Sequence, residues 1–228
     1  MSKTYEYSVF PKDTDHSGLA TVPSICANII NSLGKSFTKE STSNLRLLRS
    51  AFEIDERPRT DENYNVSVWR VEDGGARFSQ CILLTDYDGS EIGRGTTEWC
   101  HVDPDTGIPL SDSLEQTITT SDSTIPCRRA RRIGDFFPDK VIDKELEQND
   151  FREDGRLDNN LYIKNLCSLL PSDTLSRGLS VRIDFDFCSE PRIGEDVTFG
   201  LKEKNDERFL FLARSEDRTL CRACLVTE

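Results

Sequence analysis

Two short acidic segments carry the side chains of this chain best suited to proton transfer. Asp13 and Asp15 lie in the first and Asp150 and Asp154 in the second, each a few residues before a predicted helix. A carboxylate can take a proton from water, and the N–H groups and positive dipole at a helix start can stabilise a developing negative charge. These positions therefore offer general-base chemistry beside a helix N-terminus, and turn-forming hydrogen bonds are the structural alternative.

The helix after each acidic segment is predicted from apolar residues spaced three and four apart. Thr21 can cap the first helix and Gly34 ends it, whereas Asn159 or Asn160 can cap the second and Pro171 ends it. The apolar positions are Val22, Ile25, Cys26, Ile29, Ile30 and Leu33 in the first helix and Tyr162, Ile163, Leu166, Cys167 and Leu170 in the second.

The second half of the chain repeats the pattern of the first half. The aligned segments are 12–29 with 149–166 at a spacing of 137 residues, 52–59 with 185–192 at 133, 65–71 with 196–202 and 76–78 with 207–209 at 131, and 92–96 with 220–224 at 128. The spacing falls in small steps, as short deletions in loops would cause. Each half is predicted to hold an edge strand, a buried helix and several strands that pair around it.

Composition excludes several classes of protein. A charged fraction of 31% with 36% hydrophobic residues is typical of a folded globular chain. The net charge of −12 argues against nucleic acid or an anionic membrane as the main partner, and neither a membrane span nor a signal peptide is recognisable, which predicts a cytoplasmic protein. The eight cysteines predict reduced thiols, and Cys221 and Cys224 read as part of a strand rather than a metal site.

The duplicated pattern resembles the acyl-ACP thioesterases of bacteria and plants. The run 86–99 (DYDGSEIGRGTTEW) is similar to a hairpin and Trp-bearing strand of the family's first domain. The segments 150–163 and 188–197 are similar to the active-site region of its second domain. The resemblance implies an α+β tandem double hotdog, in which each half is an antiparallel sheet wrapped around a long central helix.

The same resemblance indicates site residues in the second half. Counted along the family motif, Arg152 and Arg156 occupy its Asp and His positions, and Asp154 occupies its first Asn position. Asn159 keeps the second Asn, and Glu190 matches the catalytic Glu before a glycine-containing turn. We therefore expect Asp154, Asn159 and Glu190 to form the catalytic site.

The function that the resemblance implies is hydrolysis of acyl-ACP to free fatty acid in fatty acid biosynthesis, with no cofactor and no metal. A catalytically impaired protein that binds acyl chains or a carrier protein is the alternative. A hotdog dehydratase ranks last, because that chemistry normally uses a histidine and neither His16 nor His101 lies at a matching place. The turn that holds Asp15 is also similar to the aspartate-bearing turn of the single-hotdog acyl-CoA thioesterases. By that resemblance Asp15 would be catalytic.

The segment between the two halves has the composition of a linker and contains a compact basic cluster. We expect an N-terminal hotdog at residues 1–110, a linker at 111–138 and a C-terminal hotdog at 139–228. The cluster could contact an acidic acyl carrier protein. It consists of Arg128, Arg129, Arg131 and Arg132. The acyl chain length and the choice of carrier protein or CoA stay open, as does the oligomeric state, for which a homodimer is one option.

Overall fold

The computed structural model describes residues 2–37, 45–74, 76–103, 106, 108–110, 126–152, 157–175 and 180–228. Within them lie two α-helices, α1 (Val22–Ser36) and α2 (Asn160–Leu169). The strands are β1 (Lys3–Ser8), β2 (Leu45–Ile54), β3 (Asn63–Gly74), β4 (Arg77–Asp86), β5 (Glu91–His101), β6 (Lys140–Glu145), β7 (Val181–Phe187), β8 (Asp196–Asn205), β9 (Arg208–Ser215) and β10 (Arg218–Thr227). The strands that the sequence predicts in each half are confirmed.

All ten strands belong to one antiparallel sheet in the order β1-β3-β4-β5-β2-β7-β10-β9-β8-β6. The five strands from the first half occupy one side and the five from the second half the other. They meet where β2 pairs with β7, with Phe52 opposite Ile183 and Ala51 opposite Asp184. Each half thereby removes one exposed sheet edge of its partner.

The strand register confirms the duplication and corrects part of its alignment. The isolated bridge Thr14–Ala20 recurs as Phe151–Leu157, 137 residues later. The pairing of β7 with β10 repeats that of β2 with β5 at spacings of 133 and 128. The spacing of 131 is wrong for the hairpin. The pairs β1–β3 and β6–β8 place β3 and β8 at a spacing of 133, and the pairs β4–β5 and β9–β10 place β4 and β9 at 129. The hairpin of the first half is therefore four residues longer than that of the second half. Aligning the two hairpins at their turns gives 131, the mean of the two spacings.

Both helices pack on the same face of the sheet and contact each other. The predicted apolar stripes face this core, where Ile25, Ile29 and Leu166 are fully or almost fully buried. As predicted, the Thr21 side chain caps α1 by accepting a hydrogen bond from the N–H of Ser24. Gly34 was expected to end the helix, but α1 continues to Ser36 because the glycine keeps a helical conformation.

The segment 126–139 crosses the opposite face of the sheet. Its Cys127 and Ala130 form a small buried cluster with Ala51. The Arg182 side chain donates a hydrogen bond to the carbonyl oxygen of Arg128 at 2.9 Å. This part of the predicted linker therefore covers the centre of the sheet where the two halves meet.

The cysteines are free thiols, as predicted. Cys221 lies in the core under the helices, whereas Cys224 lies on the opposite face of β10. Among the described residues no group of histidine, cysteine or carboxylate side chains could hold a metal ion. In the same residues, no helix has the length and apolar character to cross a membrane.

Candidate active site

An apolar cavity of about 50 Å3, here called the inner cavity, lies between the two helices and the central strands. Ile30 and Gly34 contribute from α1, Ile163 from α2, Phe52 from β2 and Phe185 from β7. Walls of this kind exclude water and favour a hydrocarbon chain. The inner cavity is therefore suited to an apolar ligand.

A second cavity of about 70 Å3, the outer cavity, adjoins the inner one and has a more polar wall. Tyr162, Ser189 and Glu190 line it. The two cavities share five wall residues, which are Leu47, Trp99, Arg152, Asn159 and Phe187. A ligand with a polar head and an apolar tail would place its head in the outer cavity and its tail in the inner one.

Both cavities are narrow compared with the roughly 300–1,000 Å3 of a typical small-molecule site. A long acyl chain can enter only if wall side chains change rotamer. Leu47 and Ile30 have the rotatable side chains for this, whereas Trp99 is held by edge contacts with Phe37 at 5.1 Å between ring centroids. Entry of a ligand should therefore widen the inner cavity along its aliphatic walls.

Glu190 is held by its backbone while its carboxylate lies at the outer cavity. Arg218 donates a hydrogen bond to the Glu190 carbonyl oxygen at 2.8 Å, and Arg46 donates one to the Cys188 carbonyl oxygen at 2.6 Å. The Ser189 hydroxyl donates to the Thr219 carbonyl oxygen at 2.7 Å. Among the described contacts, the Glu190 carboxylate itself has no hydrogen bond or ion pair. The side chain is exposed and able to accept a proton.

The start of α2 provides the second polar wall. Asn159 stands at the N-cap position, but its side chain makes no capping hydrogen bond. Asp158 caps the helix instead, because its carboxylate accepts from the N–H of Asn160 at 3.0 Å and its carbonyl oxygen accepts from Leu161. The prediction that Asn159 or Asn160 caps this helix is therefore wrong, because the capping residue is Asp158. The Asn159 side chain lines both cavities and is available to a ligand.

The other predicted carboxylates differ in their outcome. Asp150 accepts hydrogen bonds from Lys144 at 2.6 Å and from the N–H of Glu147 at 3.0 Å. Burial alone would raise the pKa of Asp150, but these bonds outweigh it and lower the value. Such a carboxylate is a poor base. Asp150 instead stabilises the turn in the segment that joins β6 to α2. Asp154 and Arg156 lie outside the described residues, so the predicted role of Asp154 stays a prediction.

The matching position in the first half holds an ion pair. Asp15 accepts hydrogen bonds from the N–H groups of Ser17 and Leu19, and Arg57 pairs with it at 2.9 Å. Val22, which matches Asn159 at the spacing of 137, is buried. The turn-forming interpretation of Asp15 is confirmed. A cavity of about 500 Å3 lies beside Arg57 in this half, but neither Asp15 nor Val22 lines it.

Sequence reasoning did not identify the first-half residues that build part of the second-half site. Leu47 on β2 and Trp99 on β5 reach the cavities because β2 and β7 are neighbours in the sheet. Only knowledge of the strand order could have found them. The sequence pattern also gave Tyr162 no role beyond the apolar stripe of the helix, although this residue lines the outer cavity.

The two histidines lie outside this site. His16 is exposed in the turn after Asp15, and His101 is buried at the end of β5 against Phe78. Burial and the nearby Arg70 charge lower the pKa of His101. Neither imidazole lines the inner or the outer cavity.

The predicted basic cluster lies with segment 126–139 on the sheet face opposite the helices. Arg128, Arg131 and Arg132 are exposed, and Arg129 is 3.9 Å from the Glu98 carboxylate. Exposed guanidinium groups remain available to an acidic partner. Their contact with a carrier protein stays a prediction.

The fold matches several solved structures over the whole chain. An acyl-ACP thioesterase from Bacteroides thetaiotaomicron has a TM-score of 0.86 and 19% identity, covering 100% of this chain and 98% of that one. The 12:0-ACP thioesterase from Umbellularia californica has a TM-score of 0.80 and 12% identity, covering 100% and 97%. A MaoC-like dehydratase from Phytophthora capsici has a TM-score of 0.62 and 11% identity, covering 100% and 95%.

Comparison with protein-family models and with curated protein sequences gives no match. At identities of 9–19% the structural likeness establishes a hotdog-type fold and leaves the chemistry to the site. The predicted resemblance to acyl-ACP thioesterases is confirmed at this level.

Proposed function

We propose that this chain hydrolyses fatty acyl thioesters, with acyl carrier protein as the acyl donor and free fatty acid as the product. The observation that carries the proposal is the union of the two cavities. The apolar inner cavity shares wall residues, among them Asn159, with the outer cavity, which an available carboxylate, Glu190, lines. Each half would be one hotdog unit, with residues 111–138 joining them.

The arrangement supplies the groups that thioester hydrolysis needs. The acyl tail would occupy the inner cavity and the thioester the outer cavity, where Glu190 can activate water. The Asn159 amide can donate a hydrogen bond to the carbonyl oxygen. The carrier's prosthetic arm would enter past Arg46 and Ser189, at the open side of the outer cavity.

One observation favours a second candidate, an acyl-binding protein without turnover. Arg152 lies on both cavities at the position where the resembling enzymes carry an aspartate. A guanidinium in a site can lower the pKa of a neighbouring carboxylate and weaken it as a base. Such a protein would bind acyl chains in the same cavity and leave the thioester intact.

The test is release of free fatty acid from acyl carrier proteins loaded with chains of increasing length, measured by mass spectrometry. Binding is followed separately by the fluorescence of Trp99, which lines both cavities, in a Trp69→Phe background. Turnover supports the hydrolase. A saturable fluorescence change without turnover supports the acyl-binding protein and rejects the hydrolase.

A further inference from the structure

Tyr162 combines burial with an unused hydrogen-bonding group. Its side chain belongs to the first turn of α2, is 2% exposed and lines the outer cavity. In the described part of the chain its hydroxyl makes no hydrogen bond. The hydroxyl is not among the fully buried polar atoms that lack a partner, although the residue as a whole is buried. Because Tyr162 lines the outer cavity, its hydroxyl can donate to an acceptor on a ligand bound there.

The ring of Tyr162 is held in one orientation by its neighbours. Phe187 packs against it at 6.0 Å between ring centroids, and Phe199 meets it edge to face at 6.5 Å. Burial, and then the nearby Cys221 and Glu190, raise the pKa of the phenol above its ordinary value. The hydroxyl therefore stays protonated at neutral pH and serves as a donor.

The first half shows that this donor is not a requirement of the fold. Its matching residue is Ile25, which fills the same place in α1 with an apolar side chain. Val22 likewise stands where the second half has Asn159. The two polar side chains therefore occur together in the second half, where both line the outer cavity.

We propose that the Tyr162 hydroxyl donates a hydrogen bond to the carbonyl oxygen of the bound acyl thioester and stabilises the negative charge that develops there. The inference rests on the proposed function and adds a residue to it. Glu190 lies on the same cavity, so water activated there would attack the carbonyl carbon within reach of this donor. Tyr162 thus occupies the role of an oxyanion donor.

The step balances without a further reactant. The Glu190 carboxylate takes a proton from water as the water oxygen bonds to the carbonyl carbon, and the carbonyl oxygen becomes an oxyanion held by Tyr162. The oxyanion then re-forms the carbonyl, the carbon–sulfur bond breaks, and the leaving thiolate takes the proton from Glu190. Tyr162 keeps its own proton throughout.

The first test is Tyr162→Phe, which removes the hydroxyl and keeps the ring. We expect kcat to fall about 100-fold, as for the loss of one oxyanion donor, with KM little changed. Tyr64→Phe is the matched control, because Tyr64 is also buried and its hydroxyl accepts from Asn28 at 2.8 Å, away from the cavities. Unchanged kcat in Tyr162→Phe would overturn the proposal while leaving the hydrolase intact.

A second test separates this proposal from the proposed function. A trifluoromethyl ketone analogue of the acyl chain, whose hydrate carries oxygens where the intermediate has them, is compared with a thioether analogue that has no carbonyl. Tyr162→Phe should weaken binding of the ketone about tenfold and leave the thioether unaffected. Equal loss for both would assign Tyr162 to packing and overturn the proposal. If the unaltered protein shows no turnover, the proposed function fails, and this comparison still reports on Tyr162.

Discussion

Arg57 and Asp15 form an ion pair of 2.9 Å in the first half, with 5% of the Arg57 side chain and 17% of the Asp15 side chain exposed. At the matching positions the second half carries the opposite charges, Glu190 in place of Arg57 and Arg152 in place of Asp15. The hydrogen bonds around them repeat, since Arg59 N–H to Glu62 recurs as Arg192 N–H to Glu195. The same backbone frame therefore supports a closed structural pair in one half and a cavity with an available carboxylate in the other.

Asp15→Ala should destabilise the fold without affecting catalysis. It leaves Arg57 buried without its partner and removes the acceptor of the Ser17 and Leu19 N–H groups, so we expect a loss of about 2–4 kcal/mol in the free energy of unfolding. Urea unfolding measures this loss. Asp13→Ala is the matched control, with an expected change within about 0.5 kcal/mol. A large fall in kcat of folded Asp15→Ala would instead make Asp15 catalytic.

Acid should weaken the fold through the same carboxylate. Burial by itself would raise the pKa of Asp15, but the hydrogen bonds from Ser17, Leu19 and Arg57 outweigh it and lower the pKa from its ordinary value. A carboxylate with a lowered pKa in the folded state stabilises the protein above its unfolded pKa, and this stability is lost as the pH falls. Urea midpoints should therefore drop between about pH 5 and pH 3. In Asp15→Asn the drop should be smaller, and an equal drop would contradict this account.

The duplication and the helix stripes were predictable because they depend on local patterns. The register across the β3–β4 hairpin was not predictable. The extra residues of this hairpin make the spacing to the second copy larger than 131 for β3 and smaller than 131 for β4. The residues that form the cavity walls also escaped prediction. It requires Trp99 and Leu47 from the first half beside Asn159 of the second, and only the pairing of β2 with β7 brings them together. The capping role of Asp158 depended on the αR backbone of Asn159, which the sequence does not specify.

Glu190→Gln should abolish most turnover. The change keeps the size of the side chain and removes its ability to accept a proton from water, so kcat should fall about 100- to 10,000-fold. Binding of a fatty acid, followed by Trp99 fluorescence, should stay within error of the unaltered protein. Glu56→Gln is the matched control, because Glu56 is an exposed carboxylate in the corresponding first-half turn. Retained turnover in Glu190→Gln would assign the base to another group.

The basic cluster is tested by charge reversal of its exposed members, Arg128, Arg131 and Arg132. If they attract the acidic carrier, replacing all three with Glu should raise KM for acyl carrier protein about tenfold at low salt, and added salt should shrink the difference. An acyl-pantetheine substrate lacks the carrier protein and should show no change in KM. Equal KM values for acyl carrier protein in both proteins would place carrier docking elsewhere.

Gly34 offers a way to shorten the inner cavity without disturbing the backbone. It lies in the last turn of α1 and lines the inner cavity but not the outer one, and a Cβ added there would meet no atom within 4 Å. Gly34→Ala should therefore stabilise the protein by about 0.5–1 kcal/mol, the usual gain from replacing a helical glycine.

Gly34 is exposed and lines the inner cavity, so Gly34→Leu should bring its side chain to the rim of the space of the acyl tail. Glu190 lies at the outer cavity, so short chains should be hydrolysed at the unaltered rate. For the longest accepted chain, kcat/KM should fall about tenfold or more, because the methylenes at the end of the tail lose their contacts with the cavity wall. Gly134→Leu is the control, since Gly134 also has no atom within 4 Å of an added Cβ and lies on segment 126–139, away from the helices. A uniform change across all chain lengths in Gly34→Leu would show that the tail does not follow the inner cavity.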